Sequence, residues 1–217
     1  MTPINNPYPP PSVMKFIRGF GYFLGKIVWQ MKFHGIENIP RNLPGGLVVA
    51  PNHQTYVDAF WVIIPLKRNL RFMAWDKIFN VFGIGRVIRY LGAFPVNIER
   101  GDKEAYQKSV EVLREGATLV IFPEGSRAFA DGKLLDFKTG AVRMAIEAGV
   151  PILPVTIRGA NKVWAREMKY PRAFRKIEII YHPLFEVSPP AAGVDSREHA
   201  RELTEQLKQI IQTEAHA

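Results

Sequence analysis

Short apolar runs that alternate with helical patterns constrain the fold of this chain more than any other feature of its sequence. The runs are rich in β-branched residues, and the segments between them repeat their apolar residues at helical spacing. Strands separated by helices of this length form βαβ units, so we predict an α/β fold with one domain and a mixed, mostly parallel sheet flanked by helices. The predicted strands lie at 47–50, 94–98, 118–122, 152–158 and 176–181, and the predicted helices at 57–66, 76–90, 102–115, 139–148 and 196–213.

Composition narrows the possible partners and sites. The chain contains no cysteine, which excludes disulfides, zinc–thiolate centres and cysteine nucleophiles. Its 217 residues suit one domain, and its formal net charge of +9 favours anionic partners. No helix-turn-helix, RRM or zinc-finger signature appears, so we expect no nucleic-acid partner. We also expect neither a cleavable signal peptide nor a helix that spans a bilayer.

The N-terminal region has a different pattern from the rest of the chain. Residues 1–11 are rich in proline and are predicted to form a disordered tail. Residues 12–33 are predicted to form an amphipathic helix with Ser12 as its N-cap, because bulky apolar residues fall on one broad stripe and only bases oppose them. A polar face of one sign is typical of a helix at a membrane surface, although a helix packed on its own domain has a similar stripe.

A histidine and an aspartate five residues apart follow the first predicted strand. A neutral His53 can take a proton from a hydroxyl near pH 7, and the carboxylate of Asp58 could fix its tautomer and stabilise the imidazolium. On a regular helix the two side chains would be about 140° apart, so part of 53–57 must form a loop. A polar strand end and a charge at a helix start would also explain these residues.

A second cluster, Phe-Pro-Glu-Gly-Ser-Arg at 122–127, follows another predicted strand, where ligand crevices of α/β sheets lie. Gly125 permits close approach of the backbone, and Ser126 and Arg127 offer donors to a phosphate. An ordinary turn with a solvated arginine would also fit. A base oriented by a carboxylate, together with groups that hold an anion, favours transfer of an acyl group to a hydroxyl.

These motifs resemble those of the glycerolipid acyltransferases, in particular the bacterial 1-acylglycerol-3-phosphate acyltransferases. Asn-His-Gln-Thr-Tyr-Val-Asp at 52–58 and the cluster at 122–127 precede Asp-Gly-Lys-Leu-Leu-Asp-Phe-Lys-Thr-Gly-Ala at 131–141 and Val-Pro-Ile-Leu-Pro-Val at 150–155. The resemblance implies an acyltransferase domain over 34–217 with the fold of the glycerol-3-phosphate acyltransferases. It also implies attack of a lysophosphatidate hydroxyl on the thioester of acyl-CoA or acyl-carrier protein, giving phosphatidate in phospholipid biosynthesis.

The resemblance assigns roles to individual residues. His53 would be the general base and Asp58 its orienting partner, without a covalent acyl-enzyme. No cofactor or metal is expected, because the acyl donor is a co-substrate. The resemblance assigns to the acceptor site the residues Glu124, Gly125, Ser126 and Arg127. Lys138 is a candidate second phosphate contact, and a solvated lysine would also fit its position.

The second family motif departs from its usual form. It normally reads Gly-x-x-Pro-Val-x-Arg, and its arginine holds the acceptor phosphate, whereas here Ile98 stands at the arginine position. Arg100 lies two residues later, on the same face of a continuing strand, and is the expected replacement. Because Ile98 replaces the usual arginine, the acceptor could instead be another lysolipid or an amino lipid. A non-catalytic lipid-binding module is a further alternative.

The expected location combines these features. A lysophospholipid acceptor resides in the membrane, whereas the thioester donor is soluble in water. A basic apolar helix at 12–33 would hold the enzyme at the boundary between them, and each base near an anionic surface contributes about 1 kcal/mol. We therefore expect a peripheral protein on the cytoplasmic face of the cell membrane.

Overall fold

One seven-stranded sheet forms the centre of the fold. A computed structural model of the protein describes residues 8–97 and 102–215. The described strands are β1 (Lys32–His34), β2 (Leu47–Pro51), β3 (Leu70–Trp75), β4 (Ala93–Val96), β5 (Thr118–Val120), β6 (Ile152–Arg158) and β7 (Glu178–Tyr181). They lie in the order β1-β7-β6-β2-β5-β3-β4, and every neighbouring pair is parallel except β6 and β7. The predicted mixed, mostly parallel sheet is confirmed.

Helices connect most of these strands. Two short 3-10 helices lie at Ile36–Asn38 and Asp76–Asn80. The segment predicted as one helix over 76–90 is therefore two elements, and Gly83 separates them with a φ of 77° that favours glycine. The α-helices are α1 (Pro11–Trp29), α2 (Asp58–Val62), α3 (Ile84–Tyr90), α4 (Lys103–Arg114), α5 (Gly140–Ala148), α6 (Asn161–Trp164) and α7 (Ser196–Ala215).

Two strands were not predicted from the sequence. Neither β1 nor β3 contains a β-branched residue, and the prediction relied on runs rich in such residues. The strand β1 also lies inside the segment predicted as a helix over 12–33. That helix ends at Trp29, because Gln30 adopts a left-handed conformation with a φ of 44° and the chain then enters the sheet.

The central strand β2 is buried on both faces of the sheet. Leu47 and Val49 belong to a core that includes side chains from α1 and α2. Val48 and Ala50 point the other way, into a core that includes side chains from α4, α5 and α7. Strands covered on both faces read as continuous apolar runs, which is why this strand could be predicted.

The register of β2 and β5 positions the two motifs. The strands are parallel neighbours, with Leu47 opposite Thr118 and Val49 opposite Val120. Their carboxyl ends therefore reach the same edge of the sheet, and the motif at 52–58 leaves that edge beside the motif at 122–127.

The helix α1 packs on the domain with only part of its apolar surface. Met14 is buried, and Ile17 contacts the same core as α2. A second stripe is exposed, with relative accessibilities of 71% at Phe16, 56% at Phe20 and 64% at Phe23. The prediction of Ser12 as the N-cap is wrong, because the helix begins at Pro11 and Pro10 is its N-cap. Residues 1–7 of the predicted tail lie outside the described residues.

No helix in 8–97 or 102–215 is long and apolar enough to cross a membrane.

Candidate active site

His53 and Asp58 form a hydrogen-bonded pair at the carboxyl end of β2. The Nδ1 atom of His53 lies 2.9 Å from Oδ2 of Asp58. Residues 52–57 form a loop between β2 and α2, as the geometry of the pair requires, and Asp58 is the first residue of α2. The carboxylate is fully buried, whereas 21% of the histidine side chain is accessible. The structure therefore brings together the two residues predicted to be base and orienting partner.

Asp58 also holds the loop that carries the histidine. Its Oδ2 accepts hydrogen bonds from the main-chain N–H groups of Gln54 at 2.6 Å and Thr55 at 2.7 Å. Its Oδ1 accepts from the hydroxyl of Thr55 at 2.6 Å. A carboxylate that receives donors in this way can only accept from the ring of His53, so Nδ1 donates and Nε2 is left as the proton acceptor. The ring of Phe122 stacks on the imidazole with centroids 3.9 Å apart.

Glu124 links the two motifs. Its Oε1 accepts the main-chain N–H of His53 at 2.6 Å, and its Oε2 accepts that of Leu135 at 2.8 Å. Burial raises the pKa of the Glu124 carboxyl, and these two hydrogen bonds oppose the shift. Both oxygens are thus engaged by main-chain donors, and Glu124 is not part of the cavity wall described below.

The side-chain amides of Asn52 and Gln54 also hold the loop that carries His53. The side chain of Asn52 donates to the carbonyl of Ile157 at 3.0 Å and accepts its N–H at 2.6 Å, which ties the loop to β6. Gln54 accepts the N–H of Asn161, the first residue of α6, at 3.1 Å. Both amides stand in the motif at 52–58, but their roles could not be predicted from the sequence.

Thr55 is a further residue of the site, since its N–H and hydroxyl both donate to Asp58. The spacing Thr55-x-x-Asp58 matches the sequence pattern of a capping box, in which the acid accepts the main-chain N–H of the residue three positions before it. That signal could have predicted the bond between Asp58 and the main chain of Thr55.

A group of donors lies beside the pair. Gly125 has a φ of 67°, and a Cβ at this position would lie 2.8 Å from Nζ of Lys138. The guanidinium carbon of Arg127 lies 3.5 Å from the ring centroid of Tyr56. Its Nη1 is buried and has no hydrogen-bond partner among the described residues. The described residues thus leave one N–H donor of the Arg127 guanidinium unused.

A cavity of about 1040 Å³ joins these groups. One part of its wall is apolar and comes from β3, the 3-10 helix at Asp76–Asn80 and α3. His53, Gly125, Ser126, Arg127 and Lys138 line another part. Further cations that the sequence analysis did not single out also contribute to the wall, namely Lys103, Arg143 and Arg166. The cavity can therefore hold a molecule with an apolar chain and an anionic end beside a basic imidazole.

Arg100, predicted to replace the usual arginine of the second motif, lies outside the described residues, as does Ile98. The strand β4 ends at Val96, before both positions.

Comparison with known proteins agrees with this geometry. The family model named Acyltransferase matches residues 30–158. The chain is 29% identical over 184 residues to a 1-acyl-sn-glycerol-3-phosphate acyltransferase of Bacillus subtilis, covering 83% of this chain and 86% of that protein. It is 28% identical over 159 residues to the chloroplastic 1-acyl-sn-glycerol-3-phosphate acyltransferase BAT2 of Brassica napus, covering 69% of this chain. This chain spans less than half the length of that relative, since the match covers 45% of it.

A solved structure shares the fold. The crystal structure of the 1-acyl-sn-glycerophosphate acyltransferase PlsC from Thermotoga maritima matches with a TM-score of 0.71 and 25% sequence identity, covering 94% of this chain and 78% of that chain. The family match includes the loop of His53 and Asp58, the cluster at 122–127 and the strands that position both. The chain therefore belongs to the Acyltransferase family.

Proposed function

We propose that this protein transfers a fatty acyl group from acyl-CoA or acyl-carrier protein to the free hydroxyl of 1-acylglycerol-3-phosphate, giving phosphatidate. One observation carries the proposal: the imidazole of His53, hydrogen-bonded through Nδ1 to Asp58, lines a cavity that also presents Arg127 and Lys138. The Bacillus subtilis and Brassica napus relatives named for this reaction support the choice of acceptor.

In the proposed reaction, Nε2 of His53 takes the proton of the acceptor hydroxyl as its oxygen attacks the thioester carbonyl. Asp58 stabilises the imidazolium through the bond to Nδ1. The tetrahedral intermediate collapses with cleavage of the C–S bond, and the thiolate takes the proton from the imidazolium. The acyl group passes directly to the acceptor, so the reaction needs no cofactor and forms no acyl-enzyme.

We assign the acceptor phosphate to Arg127, Lys138 and Ser126. The guanidinium of Arg127 is held against the ring of Tyr56 and has a free buried donor, and Lys138 lies against the backbone of Gly125. Guanidinium and ammonium groups are the usual side-chain ligands of phosphate. This assignment does not depend on Arg100, which stays a prediction as a further phosphate contact.

Glu124 has a positioning role in this proposal. Its carboxylate receives main-chain N–H groups from the loop of His53 and from Leu135. It therefore fixes the distance between the base and the segment that leads to Lys138, and it acts on the acceptor only through these neighbours.

We propose that α1 attaches the protein to the cytoplasmic face of the membrane. Phe16, Phe20, Phe23 and Ile27 repeat at helical spacing on the exposed side of α1, and each is at least 56% accessible. Burial of such a stripe in lipid removes it from water while the opposite side stays packed on the domain.

A thiol-release assay tests the acyl-transfer proposal. Purified protein is given palmitoyl-CoA, with and without lysophosphatidate in mixed micelles, beside the variants His53→Ala and His199→Ala. His199 is a half-buried histidine on α7 that does not line the cavity, so its variant controls for loss of an imidazole elsewhere. We expect release that requires the acceptor, persists in His199→Ala and disappears in His53→Ala.

The other outcomes identify the alternatives. Release without acceptor would indicate a thioester hydrolase. Release with another lysolipid or an amino lipid, but not with lysophosphatidate, would show that the acceptor is a different lipid, as the departure at Ile98 allows. Failure with CoA and carrier-protein donors against the whole acceptor panel would overturn acyl transfer and favour a lipid-binding module.

A further inference from the structure

The segment between α6 and β7 carries an unusual density of positive charge. Its residues 166–176, called the basic loop below, contain one acidic residue, Glu167. All of its bases are exposed, namely Arg166, Lys169, Arg172, Arg175 and Lys176. The net charge of the loop is therefore +4, from five bases and one acid.

Most of this charge is not neutralised within the protein. Lys176 forms an ion pair with Glu178 at 3.0 Å. The other four bases make no ion pair with any residue in 8–97 or 102–215. Clusters of four or more bases at a membrane-proximal position attract anionic lipids.

Two aromatic side chains project from the same loop. Tyr170 is 69% accessible and Phe174 is 71% accessible. Phe174 has a φ of 56°, a left-handed conformation that costs a residue with a Cβ about 1 kcal/mol. Its N–H donates to the carbonyl of Val28 at 2.7 Å, so a main-chain hydrogen bond to α1 anchors the backbone at this residue.

The basic loop is joined to the end of α1. Besides the bond from Phe174 to Val28, the indole N–H of Trp29 donates to the carbonyl of Arg172 at 3.0 Å. The N–H of Ile177, the residue after the loop, donates to the carbonyl of Trp29 at 3.2 Å. At its other end, Arg166 lines the cavity beside the catalytic pair. The loop therefore connects the helix with the exposed aromatic stripe to the proposed active site.

We infer that the basic loop binds the headgroups of anionic phospholipids and forms a second contact with the bilayer beside α1. The bases supply attraction to the anionic surface, and the aromatic rings of Tyr170 and Phe174 enter the interface, where amphipathic and aromatic side chains are favoured. The exposed apolar stripe of α1, to which this loop is hydrogen-bonded, favours lipid over an acidic protein as the partner. The inference extends the proposed attachment through α1, but its test does not require acyl transfer.

Vesicle sedimentation without substrate tests the inference. The double variant Lys169→Gln/Arg172→Gln removes two exposed charges from the loop, and the control Arg197→Gln/Arg201→Gln removes two exposed charges from α7. Vesicles contain either phosphatidylcholine alone or equal parts of phosphatidylcholine and phosphatidylglycerol. We expect the loop variant to bind the anionic vesicles roughly thirtyfold more weakly than the natural protein, with little change on neutral vesicles. The control should stay within about twofold, because its charges lie outside the proposed contact.

The aromatic contribution is tested separately with Phe174→Asn. Asparagine tolerates the left-handed conformation, so this change removes the ring with little backbone strain. We expect several-fold weaker binding to both kinds of vesicle.

Several results would overturn the inference. The inference would be wrong if the natural protein bound both vesicle types equally, or if the loop variant bound the anionic vesicles as well as the natural protein does. It would also be wrong if the α7 control lost as much affinity as the loop variant. Loss of affinity for an acidic carrier protein without loss of vesicle binding would identify that protein as the partner instead. Because no substrate is present, failure of the thiol-release assay would leave a positive vesicle result standing.

Discussion

One oxygen of Asp58 both orients the imidazole of His53 and fixes the loop that carries it. Oδ2 lies 2.9 Å from Nδ1 of His53 and 2.7 Å from the main-chain N of Thr55. Because these donors converge on one fully buried carboxylate, the position of the imidazole depends on the same group as the path of residues 53–57. Loss of the carboxylate should therefore affect stability and catalysis together.

We expect Asp58→Asn to lower kcat for acyl transfer by about a hundredfold or more, since the wrong tautomer of His53 would be favoured. If the asparagine NH₂ took the place of Oδ2, it would face the main-chain N–H groups of Gln54 and Thr55. We therefore expect a loss of about 2 kcal/mol in the free energy of unfolding. Steady-state kinetics and urea denaturation measure the two effects. Asp131→Asn, at an exposed aspartate, is the control. A variant with kcat within threefold of the natural protein would contradict the role of Asp58.

The sequence could predict the pairing of His53 with Asp58 because both residue types and their spacing are local. It could also predict five strands, because buried β-branched runs such as Ile152–Arg158 carry their own signal. It could not predict β1 and β3, whose sequences lack that signal and whose pairing depends on the rest of the sheet.

The cationic side of the cavity was harder to predict in full from the sequence. Arg127 and Lys138 stand in recognisable motifs, but the ring of Tyr56 under the guanidinium is a tertiary contact between two loops. Arg143 and Arg166 reach the same cavity from other elements, and no spacing in the sequence indicates this. Glu124 was predicted to belong to the acceptor site, whereas the structure shows main-chain donors at both of its oxygens.

Substitution of Gly125 tests the proposed contact of Lys138 with the acceptor phosphate. In Gly125→Ala the new Cβ would displace the end of Lys138, so we expect a several-fold rise in KM for the acceptor. Gly45→Ala is a matched control, because Gly45 also has a positive φ, of 83°, but nothing within 4 Å of a new Cβ. Both variants should lose about 1 kcal/mol of stability from backbone strain. An equal KM in the two variants would exclude Lys138 from acceptor binding.

Tyr56 is expected to hold Arg127 in position for the phosphate. Tyr56→Phe keeps the ring beneath the guanidinium, whereas Tyr56→Leu removes it, and cation–π contacts contribute about 0.5–2 kcal/mol. We expect Tyr56→Leu to raise KM for the acceptor by roughly twofold to thirtyfold, with kcat much less affected. Initial rates over a range of acceptor concentrations separate the two parameters. Equal KM values for the Phe and Leu variants would show that the ring does not position Arg127.

Glu178 should make the stability of the sheet depend on pH. The neighbouring Lys176, together with Arg158, lowers the pKa of the Glu178 carboxyl from 4.5 to about 2, although partial burial opposes the shift. Because the pKa is lower in the folded state, this stabilisation is fully present above pH 4.5 and is lost as the pH falls through about 2. We therefore expect Glu178→Gln to lower the free energy of unfolding at pH 7 by about 2 kcal/mol, less than the full pKa shift implies because solvent screens these ion pairs. The difference from the natural protein should become small near pH 2. Urea denaturation at several pH values measures the free energy of unfolding, and Glu167→Gln, at an exposed glutamate, is the control. If the difference between Glu178→Gln and the natural protein did not change with pH, the ion pairs of Glu178 would not stabilise the fold.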